Sequence, residues 1–193
     1  MLNIAIIVGS TRPGRFSEQV IPWVEEGLKD NTEISYTVLD LRDYPLAFFD
    51  AAVGPSNISD GKYGSAEVDA WAAKIASFDG YIIIAPEYNH GYTAVLKNAL
   101  DVIYHEWSNK PVAFISYGSV GGGRVVEQLR LVSIELQMAP IRNAVHIQAP
   151  WFLRDESGQL KAGALDPYVG ARTGMIEQLS WWGKALKAAK EVK

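Results

Sequence analysis

The chain alternates short apolar runs with stretches of helical periodicity. Leu2–Val8 is a β-rich apolar run that stops at Gly9, and such runs read as strands buried on both faces, as in parallel sheets. From Ser17 to Lys29, Val20, Ile21, Val24 and Leu28 recur at helical spacing with Glu25, Glu26 and Lys29 opposite them. Pro22 falls inside this stretch and is expected to distort its first turns. Glu33–Leu39 predicts a second strand, and Asp40–Asp60 a long loop rich in aromatics and proline, of a length that marks function or mobility. Ser65–Phe78 predicts a helix with Val68, Trp71, Ala72 and Ile75 on one stripe; Gly80–Ala85 predicts a strand, Thr93–Tyr104 a helix and Pro111–Tyr117 a strand. Gly123–Met138 predicts a helix, Arg142–Gln148 a fifth strand and Ala164–Val192 the region of the last helix. Strands alternating with helices in this way predict an α/β fold, a five-stranded parallel sheet with helices on both faces.

The remaining bulk properties narrow the class. With 193 residues and a soft prior of about 150 per domain, residues 1–193 are expected to form a single domain. The absence of cysteine removes disulfides, thiolate metal sites, iron–sulfur clusters and thiol nucleophiles. A formal net charge of −4 argues against nucleic acid as a partner. No apolar run approaches the ~20 residues of a membrane helix, and Met1–Val8 lacks the basic start and small-residue cleavage site of a signal peptide. The expectation is a cytoplasmic protein with no membrane partner.

In an open parallel sheet, ligands bind beyond the carboxyl ends of the strands, where the winding reverses. The loops there hold seven of the seventeen glycines: Gly9, Gly14, Gly91, Gly118, Gly121, Gly122 and Gly123. Loop one, Gly9-Ser10-Thr11-Arg12-Pro13-Gly14-Arg15-Phe16-Ser17, feeds a helix. Its hydroxyls, its amides and the helix start suit an anion, and Arg12 and Arg15 can add charge-assisted contacts. The bland alternative is a capped turn with two solvated arginines. Neither a Walker A motif nor Gly-x-Gly-x-x-Gly is present. Loop three, Pro86-Glu87-Tyr88-Asn89-His90-Gly91-Tyr92, offers rings and edge groups for a flat heteroaromatic ligand, with His90 either a proton donor or a plain hydrogen bonder. Loop four, Ser116-Tyr117-Gly118-Ser119-Val120-Gly121-Gly122-Gly123-Arg124, lets backbone approach a ligand; otherwise it is a flexible connection. The three histidines are too scattered for a metal site, and no Gly-x-Ser-x-Gly elbow occurs, so neither metal ligands nor acid, base or nucleophile residues are assigned.

Taken in order, Gly9-Ser10-Thr11-Arg12 with Gly14-Arg15-Phe16-Ser17, Pro86–Tyr92, Leu96-Lys97-Asn98-Ala99-Leu100-Asp101, Lys110-Pro111, Ser116-Tyr117-Gly118 and Gly121-Gly122 resemble the NADPH-dependent FMN reductase family, which includes quinone, chromate and azo-dye reductases. The likeness runs from residue 1 to about 150. It implies a flavodoxin-like three-layer sandwich with strand order 2-1-3-4-5, and FMN and NADPH (or NADH) as cofactors. By this resemblance Ser10, Arg12 and Ser17, with Phe16 beside them, hold the FMN phosphate. Pro86, Glu87, Tyr88, Asn89 and His90 line the flavin ring, and Ser116, Tyr117 and Gly118 close its other side. Arg15 would contact FMN or the NADPH phosphate. Gly123 and Arg124 depart from the pattern in loop four. The family also implies a homodimer or homotetramer, with Trp107, Tyr92 and Tyr44–Phe49 as interface candidates against ordinary packing.

The expected activity is transfer of two electrons from NAD(P)H through bound flavin to a quinone-like small molecule. A cysteine-free chain of this length has no other evident electron store and no room for a separate nicotinamide domain, so donor and acceptor should alternate in ping-pong fashion. The alternatives are an electron carrier resembling flavodoxin, without NAD(P)H turnover, a flavin-free protein on an inherited fold, and a reductase that takes FMN as substrate and releases it reduced.

Overall fold

Five strands form one all-parallel sheet: β1 (Leu2–Val8), β2 (Ile34–Asp40), β3 (Gly80–Pro86), β4 (Pro111–Gly118) and β5 (Ala139–Gln148). This computed structural model describes residues 1–191. The order is β2-β1-β3-β4-β5, as expected, so the winding reverses between β1 and β3. Every residue of β3 and β4 is buried, which is why both read as apolar runs, broken only by Ser116 in β4, whereas edge strand β2 is only partly covered.

The helices are α1 (Ser17–Leu28), α2 (Ala66–Ala76), α3 (Ala94–Asp101), α4 (Gly123–Glu135) and α5 (Val169–Glu191). One face of the sheet buries Ile4, Ile6, Ile82 and Ile84 against Val20 and Val24 of α1 and Met175, Ile176 and Leu179 of α5. The other buries Ala5, Ile7, Tyr81 and Ile83 against Trp71 and Ile75 of α2, Leu96 and Leu100 of α3 and Val125 and Leu129 of α4. The three layers and the strand order are those of the flavodoxin-like fold. Trp107 belongs to this second core: it is 0% exposed, stacks edge-on against Trp71 and Tyr81, and donates to the Leu100 carbonyl at 3.2 Å. Its reading as an interface residue is therefore overturned, because its indole is consumed by the core.

Differences from the expected boundaries have local causes. α4 stops at Glu135 because Gln137 takes φ +58°, doing the helix-ending work usually given to glycine. β5 starts at Ala139, and Pro140 is accommodated there because β5 is an edge strand. α3 ends at Asp101, although Val102 and Ile103 prolong its buried stripe. The last helix begins at Val169, after a short turn over Asp166–Tyr168; the expected end at Val192 lies outside the described residues. Pro22 lies within the continuous helix α1.

The connection after β2 is tethered rather than loose. Asn98 of α3 donates to the Leu46 and Ala47 carbonyls at 3.2 and 2.9 Å and accepts from the Phe49 amide at 3.1 Å. Tyr44 packs on Trp71, while Phe48 stays 76% exposed.

Candidate cofactor site

Loop one leaves β1 at Gly9, where a β-carbon would meet Leu96 Cδ2 at 2.9 Å and the Ile84 carbonyl at 3.0 Å, so only glycine lets the chain pass this close to α3. Thr93 caps α3 and donates its hydroxyl to the Gly9 carbonyl at 2.5 Å. Ser10 is buried, with its hydroxyl 3.3 Å from the Tyr88 phenol, which ties loop one to loop three. No side chain caps α1; the Glu18 and Gln19 amides bond to the Arg15 and Phe16 carbonyls at 3.4 and 3.0 Å, so the helix start is closed by loop-one backbone alone. Thr11, Arg12, Pro13 and Gly14 are exposed, and Arg12 makes no ion pair among the described residues.

Arg15 takes a different place from the one expected. It is 1% exposed, donating from beneath loop one to the Ser10 carbonyl and pairing with both Asp40 carboxylate oxygens at the end of β2. Burial pushes the Asp40 carboxyl up, but hydrogen bonds from Arg15 and Arg42 outweigh it and hold the group far below the usual carboxylate range. With its charge committed, Arg15 shapes the loop from below rather than facing a ligand.

Loop three is a tight reversal. The Tyr88 amide donates to the Gly91 carbonyl at 2.8 Å and the Gly91 amide returns a bond to Tyr88 at 3.0 Å; between them Asn89 and His90 have φ +50° and +69°, a type I′ turn. Asn89 and His90 are thus the exposed tip, and the His90 carbonyl accepts from Gln128 at 2.8 Å. Loop four is shaped by Gly121 and Gly122 at φ +77° and +73°; Gly123 has open space at its β-carbon position, so the departure there is structurally neutral. Ser116 lies beneath this loop and donates to the Gly121 carbonyl at 2.7 Å. Arg124 pairs with Glu87, whose side chain is almost wholly buried.

Arg12, Phe16, Pro86, Glu87, Tyr88, Tyr117 and Gly118 line one cavity of about 240 Å³ between the three loops. Three lining residues come from after β5 and were not anticipated: Pro150, Trp151 and Arg154. A second cavity of about 470 Å³ lies on the α3 side of loop one; Arg12 and Tyr88 line both, and Ser10, Phe48 and Asn98 line the second. Of the expected site residues, Asn89, His90, Ser116, Ser17 and Arg15 line neither. The Ser17 hydroxyl and the Tyr117 phenol are buried next to each other, with no well-formed hydrogen bond to any other group of the protein, so a ligand beside them can complete their bonding. Buried hydroxyls, an unpaired arginine, a helix start without a side-chain cap and lining aromatic residues fit a phosphorylated flavin.

The sequence model of the NADPH-dependent FMN reductase family matches residues 2–151. The chain belongs to this family. As a member it is an oxidoreductase that works with FMN and NAD(P)H. An NAD(P)H-dependent FMN reductase of Nectria sp is 41% identical over 204 residues, covering 100% of this chain and 96% of its own. One of Schizosaccharomyces pombe is 39% identical over 169 residues, covering 86% and 80%. A quinone reductase of Escherichia coli is 27% identical over 175 residues, covering 88% and 84%. Among solved structures, a flavoenzyme NAD(P)H:(acceptor) oxidoreductase from Paracoccus denitrificans superimposes with a TM-score of 0.67 at 21% identity, covering 92% of this chain and 98% of that one, a likeness of fold. The family match ends at Trp151, so Arg154 lies outside it, and no motif marked the segment in the sequence.

Proposed function

We propose that this reductase moves two electrons from NAD(P)H to quinone-like small molecules, with FMN resident in the loop cavity and donor and acceptor taking turns at one exposed face. The observation that carries this reading is the convergence of three strand-end loops on one cavity, beside two adjacent buried hydroxyls, Ser17 and Tyr117, with no well-formed bond to any other group. The quinone reductases among the relatives support the acceptor class. Bound FMN supplies the hydride-accepting and electron-storing chemistry.

The chain's own groups do the remaining work. Ser10, Ser17 and Arg12, at the positive end of the α1 dipole, would receive the phosphate. Arg12 supplies a positive charge that no carboxylate neutralises, and a phosphate there stabilises the uncapped helix start. Tyr88 and Tyr117 give the cavity an aromatic lining, and the missing β-carbon of Gly118 lets Glu87 pack against loop four. The Glu87–Arg124 pair keeps the one lining carboxylate from repelling an anionic cofactor. No side chain is required as an acid or nucleophile. The same reading treats residues 1–193 as one FMN-binding unit, working in the cytoplasm as a homodimer or homotetramer; no helix among the described residues is long and apolar enough to cross a membrane.

The test is to saturate the purified protein with FMN, measure the bound fraction, and follow NADPH oxidation against a series of fixed quinone concentrations. Parallel double-reciprocal lines without any partner protein are expected. Intersecting lines overturn the alternating mechanism, turnover only with an added partner protein favours a carrier, and failure to take up flavin overturns the whole proposal.

A further inference from the structure

The chain does not pass directly from β5 into α5. It first folds back across the C-terminal edge of the sheet, and that detour is built with care. Ala149 holds φ +45°, a conformation that costs a residue with a β-carbon about 1 kcal/mol, and its amide donates to the Gly118 carbonyl of loop four at 2.8 Å. Pro150 and Trp151 follow directly into the cavity wall. Leu153–Lys161 then closes as a small hairpin: the Lys161 amide donates to Leu153 at 2.9 Å, the Asp155 amide to Gln159 at 2.8 Å, and the Asp155 carboxylate gathers the Ser157 and Gln159 amides at 2.9 and 3.1 Å.

This hairpin is fastened to the opposite wall. Gln19 of α1 accepts from Arg154 Nε at 2.9 Å and donates to the Gly158 carbonyl at 2.6 Å. The Arg154 guanidinium lies 5.2 Å from the centre of the Phe16 ring and reaches the Gly14 carbonyl of loop one with two long bonds, 3.3 and 3.4 Å. The segment therefore bridges loop four to loop one over the cavity and brings a second cation beside Arg12. Its guanidinium has more N–H groups than protein acceptors, so it can also donate to an anion.

We propose that residues 149–161 form a retention strap, in which Trp151 covers the flavin and Arg154 positions loop one around its phosphate, making FMN a retained group rather than one released at each turnover. The proposal rests on the FMN site described above. Escape of FMN then requires the bridge to part, so the strap acts mainly on the dissociation rate.

The experiment loads the full chain with FMN and follows its release into excess apoflavodoxin, for wild type, Arg154→Ala, Trp151→Ala and Gln19→Ala, with riboflavin as a second probe. Thermal midpoints of the apo forms are read in parallel. Release is expected to quicken about tenfold or more in Arg154→Ala, the scale of a lost charge-assisted contact. It should quicken in Gln19→Ala as well, although Gln19 does not line the cavity, with apo midpoints near wild type. Arg154→Ala should affect FMN far more than riboflavin. Wild-type release rates in all three variants, or faster release only in step with a fallen apo midpoint, overturn the strap while leaving the FMN site standing. A wild-type chain that binds no flavin instead removes the site itself.

Discussion

Arg12 and Arg15, three positions apart in one loop, have opposite fates, and burial decides between them. Arg12 is exposed and unpaired, so Arg12→Ala should cost FMN binding about tenfold or more, with much less effect on riboflavin or nicotinamide and little change in thermal midpoint. Equal loss for all three ligands in a titration would count against a phosphate contact. Arg15 is sealed under the loop against Asp40. Asp40→Asn removes the nearer of Arg15's two carboxylates, leaving only Glu18 at 3.5 Å from Nε, and should destabilise the fold by about 3 kcal/mol in urea unfolding. Because the native Asp40 carboxyl is held below its usual range, its contribution is complete above the unfolded value near ~3.9 and disappears only as pH falls toward the native one. Asp40→Asn should therefore lose stability at neutral pH yet approach wild type in strong acid.

At the scale of elements, the strand runs and helical stripes were legible because a parallel sheet covered on both faces leaves a mostly apolar signature in β1, β3 and β4, interrupted only at Asn3 and Ser116. The three loops were legible too, since glycines and hydroxyls concentrate where the winding reverses. What stayed hidden depends on partners distant in sequence. Nothing local to Arg15 reveals Asp40 across the sheet, and nothing in Ala149–Leu160 announces that the chain bridges back to loop one. His90 reads from sequence as a proton donor or a plain hydrogen bonder, and its left-handed place at the turn tip depends on its pairing with Asn89 in the reversal. Gly121, Gly122 and Gly123 look equivalent as letters, yet only the first two have left-handed backbones. At Gly122 a β-carbon would also stand 2.7 Å from Ser116 Cβ. Gly122→Ala should thus cost about 1–3 kcal/mol of stability and weaken FMN binding, while Gly123→Ala should be nearly silent in both assays.

For the whole molecule, one titration reaches across the core. Lys110 is 5% exposed and donates to the last carbonyls of α2, at 2.9 Å to Ile75 and 3.1 Å to Ala76; burial pulls its ammonium down to about 7. A lysine lowered in the native state leaves the unfolded chain binding the extra proton, so stability should rise with pH from about 7 toward the unfolded value near ~10.4. Lys110→Met should flatten that slope in denaturation curves taken at several pH values. A last consequence concerns motion. Arg15 fastens the cofactor loop to the tip of β2, an edge strand paired on one side only. Opening of that strand and loosening of the loop are then a single event, and any ligand that selects the closed loop also suppresses fraying of the sheet's margin. Amide hydrogen exchange in Ile34–Asp40 should slow when FMN saturates the protein, by up to the factor by which free ligand exceeds its dissociation constant. In Asp40→Asn the same ligand should leave the strand's exchange almost untouched, because the mechanical link between pocket and edge has been cut.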